Sequence, residues 1–409
     1  MRVTGTVQGV GFRPYVYNLA ASLHLRGYVR NDACGVLLEV EGDPIPVEKF
    51  LNRLPAEAPP LASVERLVAE ELPPTGAQAF AILRSEGGEQ PSALIPADTA
   101  TCPECLAELF EPGNRRYRYP FINCTNCGPR FTIVCGFPYD RPLTTMAGFP
   151  LCELCRAEYN DPTDRRFHAQ PNACPICGPS VRLLDPAGAP VPLSGARDPV
   201  EAAAAALRVG MIVAVKGLGG FHLACRADDE SAVARLRRRK RREAKPFALM
   251  FRDLAAGRRL VCLDGEEERI LAGRERPILL ARRRPNAPVA HEVAPGHRDL
   301  GVMLPYTPLH HLLLADACTA LVMTSGNVSD DPICYRDDEA LERLAGIADL
   351  FLLHDRPIET RTDDSVMRVV TLGGQRRPLM LRRSRGFVPG PLALPVAADR
   401  PLLACGAQL

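Results

Sequence analysis

Eight of the fifteen cysteines fall in four Cys-x-x-Cys pairs: Cys102/Cys105, Cys124/Cys127, Cys152/Cys155 and Cys174/Cys177. Eighteen residues separate the inner cysteines of the first two pairs, and eighteen those of the last two. One such turn lets two thiolates bind one tetrahedral ion, and a second closes the shell. The spacing therefore points to two structural Zn²⁺ sites with no open coordination position. Disulfides and redox dithiols are the competing uses, and four matched pairs in a chain with no export signal disfavour both. The second set repeats the first at an offset of 50 residues, which Pro112/Pro162, Arg115/Arg165, Arg116/Arg166, Tyr117/Phe167 and Gly128/Gly178 also keep. That is an internal duplication. One ion per copy follows from it, with a crossed pairing still open. His168 stands where the first copy has Arg118 and is expected to be structural. Cys34, Cys135, Cys225, Cys262, Cys318, Cys334 and Cys405 show no ligand spacing and are expected to be small core residues.

A second chemistry sits near the N-terminus. Gln8, Gly9, Val10, Gly11, Phe12 and Arg13 follow a strand and open a helix at Pro14. Two glycines let successive N–H groups converge on an anion at a helix N-terminus, and Arg13 adds a planar charged fork. A third lies downstream. Arg235 to Arg242 is a basic run ending a helix expected over Asp228–Glu243, which by itself reads as a solvated face or weak RNA patch. Lys216 precedes Gly217-Leu218-Gly219-Gly220, and Thr324-Ser325-Gly326-Asn327 follows another strand. His310 and His311, behind a Pro-bounded turn, are expected to be structural, with a pocket-facing role as the alternative.

The elements that must hold these residues divide into three. Residues 1–86 read as a ferredoxin-like βαββαβ unit. Its strands are near Arg2–Val7, Tyr28–Asn31, Gly35–Glu41 and Gln78–Arg84, with a further extended stretch at Ser63–Glu71; its helices fit Tyr15–Leu25 and Ile45–Leu54. Gly87 to Pro91 is a polar linker, the cysteine modules fill 98–180, and Asp185–Arg197 is a second linker. A mixed α/β region runs over 196–385, with strands at Ile212–Val215, Phe247–Phe251, Ile278–Ala281 and Leu321–Met323. The tail, 386–409, turns at Ala404–Leu409 as though entering another domain. The fold class is thus α/β multidomain.

The 409 residues carry 50 Lys and Arg against 48 Asp and Glu, a formal charge of +2, which excludes coating of nucleic acid by net charge. No run of about 18 apolar residues offers a spanning helix, and the first residues lack a signal-peptide layout. A cytoplasmic location is expected.

Val7-Gln8-Gly9-Val10-Gly11-Phe12-Arg13 resembles the acylphosphatase signature. That likeness implies that Arg13 grips a phosphoryl group and Asn31 positions the attacking water. Lys240-x-Arg242 with Lys245-Pro246-Phe247-Ala248, Lys216-Gly217-Leu218-Gly219-Gly220 and Thr324-Ser325-Gly326-Asn327 resemble the YrdC family, with Gly326 a departure from its Ser-Ala-Asn. This implies ATP, with Mg²⁺ on the triphosphate, at Lys216, Lys240, Arg242, Ser325, Asn327, Arg361 and Ser365. The order of the three parts resembles the HypF family of hydrogenase-maturation carbamoyltransferases. So do Arg115–Phe121, Phe167–Pro171 and Leu304–His310. The resemblance implies that carbamoyl phosphate is hydrolysed at Arg13 and Asn31. Carbamate then passes internally to the YrdC-like pocket and becomes carbamoyl-adenylate, and a TsaD-like domain passes the group to the C-terminal cysteine of a HypE-type partner, on the way to the cyanide ligands of NiFe hydrogenase. The chain is expected to be an N-terminal part competent for the adenylate but not for the transfer. Two rivals are a threonylcarbamoyl-adenylate synthase-like enzyme of tRNA modification and a zinc-ribbon RNA-binding protein. Neither uses all three parts.

Overall fold

The computed structural model describes residues 1–87, 93–329, 331–392, 394–396, 399–400 and 402–403. The linker residues Gly88–Pro91, Cys405 and the turn at Ala404–Leu409 lie outside the described residues.

The first unit runs β1 (Arg2–Thr6), α1 (Phe12–Ser22), β2 (Arg26–Asp32), β3 (Gly35–Glu41), α2 (Pro44–Ala56), β4 (Ser63–Val68) and β5 (Phe80–Ile82). The sheet order is β4-β1-β3-β2-β5. The strand that closes the βαββαβ plan beside β1 is thus Ser63–Val68, and the Gln78–Arg84 stretch contributes only a short edge strand parallel to β2. Returning from α2 brings the chain back next to β1 first, which leaves the later segment the far edge. Val3, Val29, Val36 and Leu38 form one buried sheet face, and Val16, Leu19, Phe50 and Leu54 of the helices cover it.

Each cysteine module begins a short helix inside its first Cys pair: α3 (Pro103–Phe110) after Cys102 and α4 (Glu153–Asn160) after Cys152. The rest is turns. Sequence alone suggests metal standing in for a missing core, but the apolar side chains are not idle. Leu109, Tyr119, Phe121, Ile122, Ile133 and Met146 are buried in one cluster with Val200, Leu207, Val213, Leu309 and Leu313 of the third region. Arg118 adds ion pairs to Asp198 and Asp316 at 2.7 and 2.6 Å. The modules are docked on the large sheet.

That sheet is built from β6 (Val181–Leu184), α5 (Pro199–Arg208), β7 (Val213–Lys216), β8 (Phe221–Arg226), α6 (Glu230–Arg239), β9 (Ala248–Phe251), α7 (Leu254–Leu260), β10 (Val261–Cys262), α8 (Gly265–Ala272), β11 (Ile278–Arg283), β12 (Asp299–Met303), α9 (Pro308–Ala317), β13 (Ala320–Ser325), α10 (Asp337–Leu344), β14 (Leu350–His354), β15 (Val366–Leu372) and β16 (Gln375–Arg382). Its order is β16-β15-β11-β12-β9-β13-β8-β7-β14-β6, with β10 on β11. The Asp185–Arg197 stretch folds back on β6, where Val191 N–H donates to Leu183 O at 2.9 Å. Asp229, not Asp228, caps α6, and the helix stops at Arg239 because Arg241 takes a left-handed φ of 53°.

Cys225 and Cys334 are buried as expected and Cys318 is half-buried. Cys34, Cys135 and Cys262 are exposed, against expectation. They sit on the β2–β3 turn, on the loop between the modules and on a two-residue edge strand, none of which has an inner face to offer.

Candidate active sites

Gly9 and Gly11 have φ of 68° and 77°, the left-handed region that only glycine enters cheaply. This bend turns the loop into α1, and Gly11 has no side chain with which to cap the helix. The first-turn N–H groups are left for an external acceptor. Val10 and Phe12 anchor the loop in the core. The Gln8 amide is a bolt: Nε2 donates to Asp32 O and Gly35 O at 2.7 and 2.8 Å, while Oε1 accepts from Tyr139 N at 3.0 Å. Arg13 and Asn31 are brought together. With its amide oxygen toward the guanidinium, Asn31 accepts from Arg13 Nε and Nη2 at 3.2 and 3.3 Å. Arg13 also donates to Ser85 Oγ at 3.1 Å and pairs with Asp140 at 2.6 Å.

Asp140 comes from the zinc region, which roofs the loop. The Tyr139 ring and Pro96 stand over Gly9, and Thr125 over Gly11. Arg130 Nε donates to Gly9 O at 2.6 Å, and its other nitrogens hold Thr125 O, Cys127 O and Pro129 O of the first metal knuckle. The anion loop therefore faces the interior of the molecule.

Both cysteine sets close sequentially, one within each copy. Sulfur separations of 3.6–3.9 Å in the first set and 3.7–3.8 Å in the second match the edge of a tetrahedron with Zn–S bonds of about 2.3 Å, which is about 3.8 Å. Each set thus fits Zn²⁺. The copies exchange arginines. Arg115 reaches Cys155 Sγ at 3.4 Å, and Arg165 reaches Cys105 Sγ at 3.1 Å. Arg116 pairs with Glu158 and Arg166 with Glu108, both at 2.5 Å. Burial alone would raise the Glu158 carboxyl, but the two guanidiniums override it and bring it to about 2. His168 belongs to neither cysteine set. It shares Arg118's left-handed φ, packs on Tyr159 and Phe167, and is driven by burial to about 4, so it is neutral.

The third region holds a 510 Å³ pocket whose lining includes Arg242, Ser325, Asn327 and Arg361, with Arg241, Lys245, Asp331 and Asp363 added by the fold. Lys240 lies behind this wall. Its Nζ donates to Ser325 O, Asn327 O and Asn327 Oδ1 at 2.7, 2.5 and 2.6 Å, and burial, then Arg242, pulls it down to about 7. Gly326 is required here, because a Cβ would lie 2.6 Å from Phe221 Cβ. Lys216 is buried beside the pocket, not on its lining, paired with Asp337 at 2.6 Å and His354 O at 2.8 Å. Ser365 is fully buried between Arg385 O and Ser384 N. The basic run is mostly consumed internally: Arg237 stacks on Phe247 and binds Glu292 O, and Arg239 pairs with Asp349.

A buried polar cluster, of which the sequence motifs marked only Tyr306 and His310, lies behind Arg130 of the loop's roof. Asp98 Oδ1 accepts from Arg130 N and Thr132 Oγ1 at 2.7 and 2.9 Å, and burial raises its carboxyl. His222 and Arg385 hold Asp364 at 2.9 and 2.7 Å, and Arg385 stacks on Tyr306 at 3.4 Å. Among the described residues, Asp98 Oδ2, Tyr139 OH, His354 Nδ1, Thr362 Oγ1, His222 Nδ1 and both His310 nitrogens are buried without a partner. Buried polar atoms nearly always find partners, so this seam is suited to water or a small polar solute. Apart from Tyr306 and His310, no local spacing announces it, because its members come from distant segments.

Comparison with known proteins matches residues 1–82 to the acylphosphatase family, 101–134 and 151–184 to the HypF finger, and 205–384 to the Sua5/YciO/YrdC family described as telomere recombination. Carbamoyltransferase HypF2 of Cupriavidus necator is 51% identical over 96% of this chain and 50% of its own length. Carbamoyltransferase HypF of Rhodobacter capsulatus is 50% identical over 97% and 51%. The crystal structure of full-length HypF in the phosphate- and nucleotide-bound form superposes with a TM-score of 0.90 at 45% identity, covering 96% of this chain and 50% of that one. The chain thus spans about half the length of the curated relatives it matches. Among the described residues, no helix is long and apolar enough to cross a membrane. With three matched domains in the same order and a shared fold across nearly its whole length, this chain belongs to the HypF carbamoyltransferase family.

Proposed function

We propose that this chain carries two consecutive reactions of a carbamoyltransferase. In the first, carbamoyl phosphate and water give carbamate and phosphate at the Gln8–Arg13 loop. Arg13 and the loop N–H groups of Gly9 to Phe12 take the charge spreading over the phosphoryl oxygens, and Asn31 orients the water. Fixed donors carry such a reaction because little covalent chemistry falls to the protein. In the second, a carbamate oxygen attacks the α-phosphorus of ATP and pyrophosphate leaves, giving carbamoyl-adenylate. Arg242, Arg361, Ser325 and Asn327 face the triphosphate, which arrives as its Mg²⁺ complex. Lys240 holds the Ser325–Asn327 strap in place, and Lys216 and Ser365 support the wall. The two structural Zn²⁺ sites fix the roof over the first reaction. A HypE-type protein with a terminal cysteine would be the final acceptor.

The observation that carries this reading is an anion loop roofed by the zinc region, in one molecule with the polar pocket of the third region. Carbamate decomposes in water, and an interior route shields it. The test is ATP–pyrophosphate exchange. It should require carbamoyl phosphate and vanish in both Arg13→Ala and Asn327→Ala. Exchange that requires threonine and bicarbonate instead would refute the reading in favour of a threonylcarbamoyl-adenylate synthase.

A further inference from the structure

We propose that Asp140 reads the amino group of the acyl phosphate seated at Arg13, so that the loop prefers carbamoyl phosphate to acetyl phosphate. The inference rests on the function proposed above and adds a specificity residue to it.

The phosphoryl end of a substrate occupies the loop, so its acyl end must project toward whatever covers the loop. Tyr139, Pro96 and Thr125 form that cover, with Tyr139 ring atoms 2.9 Å from the Cβ position of Gly9. Asp140 is the carboxylate on it, and its backbone is fixed on both sides. Tyr139 N–H donates to Gln8 Oε1 at 3.0 Å, Arg141 N–H to Gln170 Oε1 at 2.8 Å, and Leu143 N–H to Asp140 O at 2.8 Å. Only Oδ1 of Asp140 has a partner among the described residues, Arg13 Nη2 at 2.6 Å. Arg13 thus stands between the carboxylate and a phosphoryl group, which keeps the two anions apart.

Carbamoyl and acetyl groups have nearly the same shape. They differ in that the carbamoyl NH₂ must donate hydrogen bonds and the methyl cannot. A donor buried without an acceptor loses its hydration for nothing. A site that supplies the acceptor rejects the analogue lacking the donor, whose arrival leaves the carboxylate unpaired. Ser85 Oγ, already bonded to Arg13, could also accept, as could neutral His168, whose buried Nδ1 has no partner among the described residues. The test therefore includes the imidazole.

The experiment is phosphate release by the full chain, giving kcat/KM for carbamoyl phosphate and acetyl phosphate in the wild type, Asp140→Asn, Asp140→Leu and His168→Asn. Zinc content and melting temperature verify folding. We expect the carbamoyl-to-acetyl ratio to fall about 100-fold in Asp140→Leu. It should fall less in Asp140→Asn, which keeps one acceptor oxygen and the same shape, and change little in His168→Asn. A ratio that stays constant while both rates fall would mean that Asp140 only steadies Arg13, and would overturn the proposal. Both rates rising together would make the carboxylate a plug, and a ratio moved by His168→Asn alone would assign the reading to the imidazole. Either contradicts the inference. A wild type that hydrolyses both substrates without preference removes this inference but leaves the proposed function standing. One that hydrolyses neither removes both.

Discussion

Arg13 is almost fully enclosed, and its guanidinium is shared among Asn31, Ser85 and Asp140. A lysine there keeps the charge but lacks the planar fork, so it cannot serve three directions at once. Arg13→Lys is therefore expected to lose at least about 100-fold in phosphate release with little change in melting temperature. A retained rate would mean that charge alone suffices. Lys240 is a different kind of cation, spent on three oxygens of one strap. Lys240→Met strands those acceptors at a cost of about 1–3 kcal/mol. It should weaken binding of a fluorescent ATP analogue at least tenfold while leaving phosphate release at the first site intact. Loss of both activities would show that the strap does not act locally. Sequence pointed to Arg13, Arg242 and Asn327 through short motifs, and to Asn31 through the strand position that the acylphosphatase likeness implies. It could not reveal Asp140, which reaches Arg13 from 127 residues away, nor that Lys240 points into the wall instead of the cavity.

At the scale of elements, the duplication was legible as an offset of 50 residues, but that offset does not say which copy each arginine serves. The fold decides it, sending Arg115 and Arg116 to the second knuckle and Arg165 and Arg166 to the first. Glu108→Gln and Glu158→Gln should thus release the arginines lent by the other copy and loosen the knuckle of their own copy. Each removes one charge from a mostly buried pair, a loss of about 3 kcal/mol or more, read as faster zinc release to a colorimetric chelator from that same site. Because Leu109, Phe121 and Ile133 share a core with Val213 and Leu313, stripping both ions should also lower the melting temperature of the large sheet domain. A metal-free protein whose sheet melts unchanged would contradict the shared core. Acid should act through the buried histidines. His168 and His311 are held near about 4 by burial, below their ordinary 6.5, so the unfolded chain takes up their protons first. Stability from these groups is full above about pH 6.5 and is lost as pH falls toward 4, by at most about 3 kcal/mol each. His311→Leu should flatten the melting temperature across that window, and an unchanged slope would rule out its contribution.

At the scale of the molecule, the docking of the modules turns three separate motifs into one arrangement. Arg130 ties the phosphate loop to the first knuckle, Asp98 sits behind it, and Thr132 O receives Glu359 N–H at 2.9 Å just before Arg361 enters the pocket lining. The domain order was legible in the sequence, but this contact path was not, because hydrophobic periodicity describes faces and says little about which polar atoms they trap. The path carries the central claim that carbamate made at Arg13 is used inside the same molecule. Mixing equal amounts of Arg13→Ala and Asn327→Ala proteins tests it most directly, with carbamoyl phosphate-dependent ATP–pyrophosphate exchange as the readout and wild type as the reference. Each variant keeps one intact site. An interior route predicts that the mixture stays at background, whereas exchange restored toward half the wild-type rate would show carbamate crossing through solvent and contradict the account.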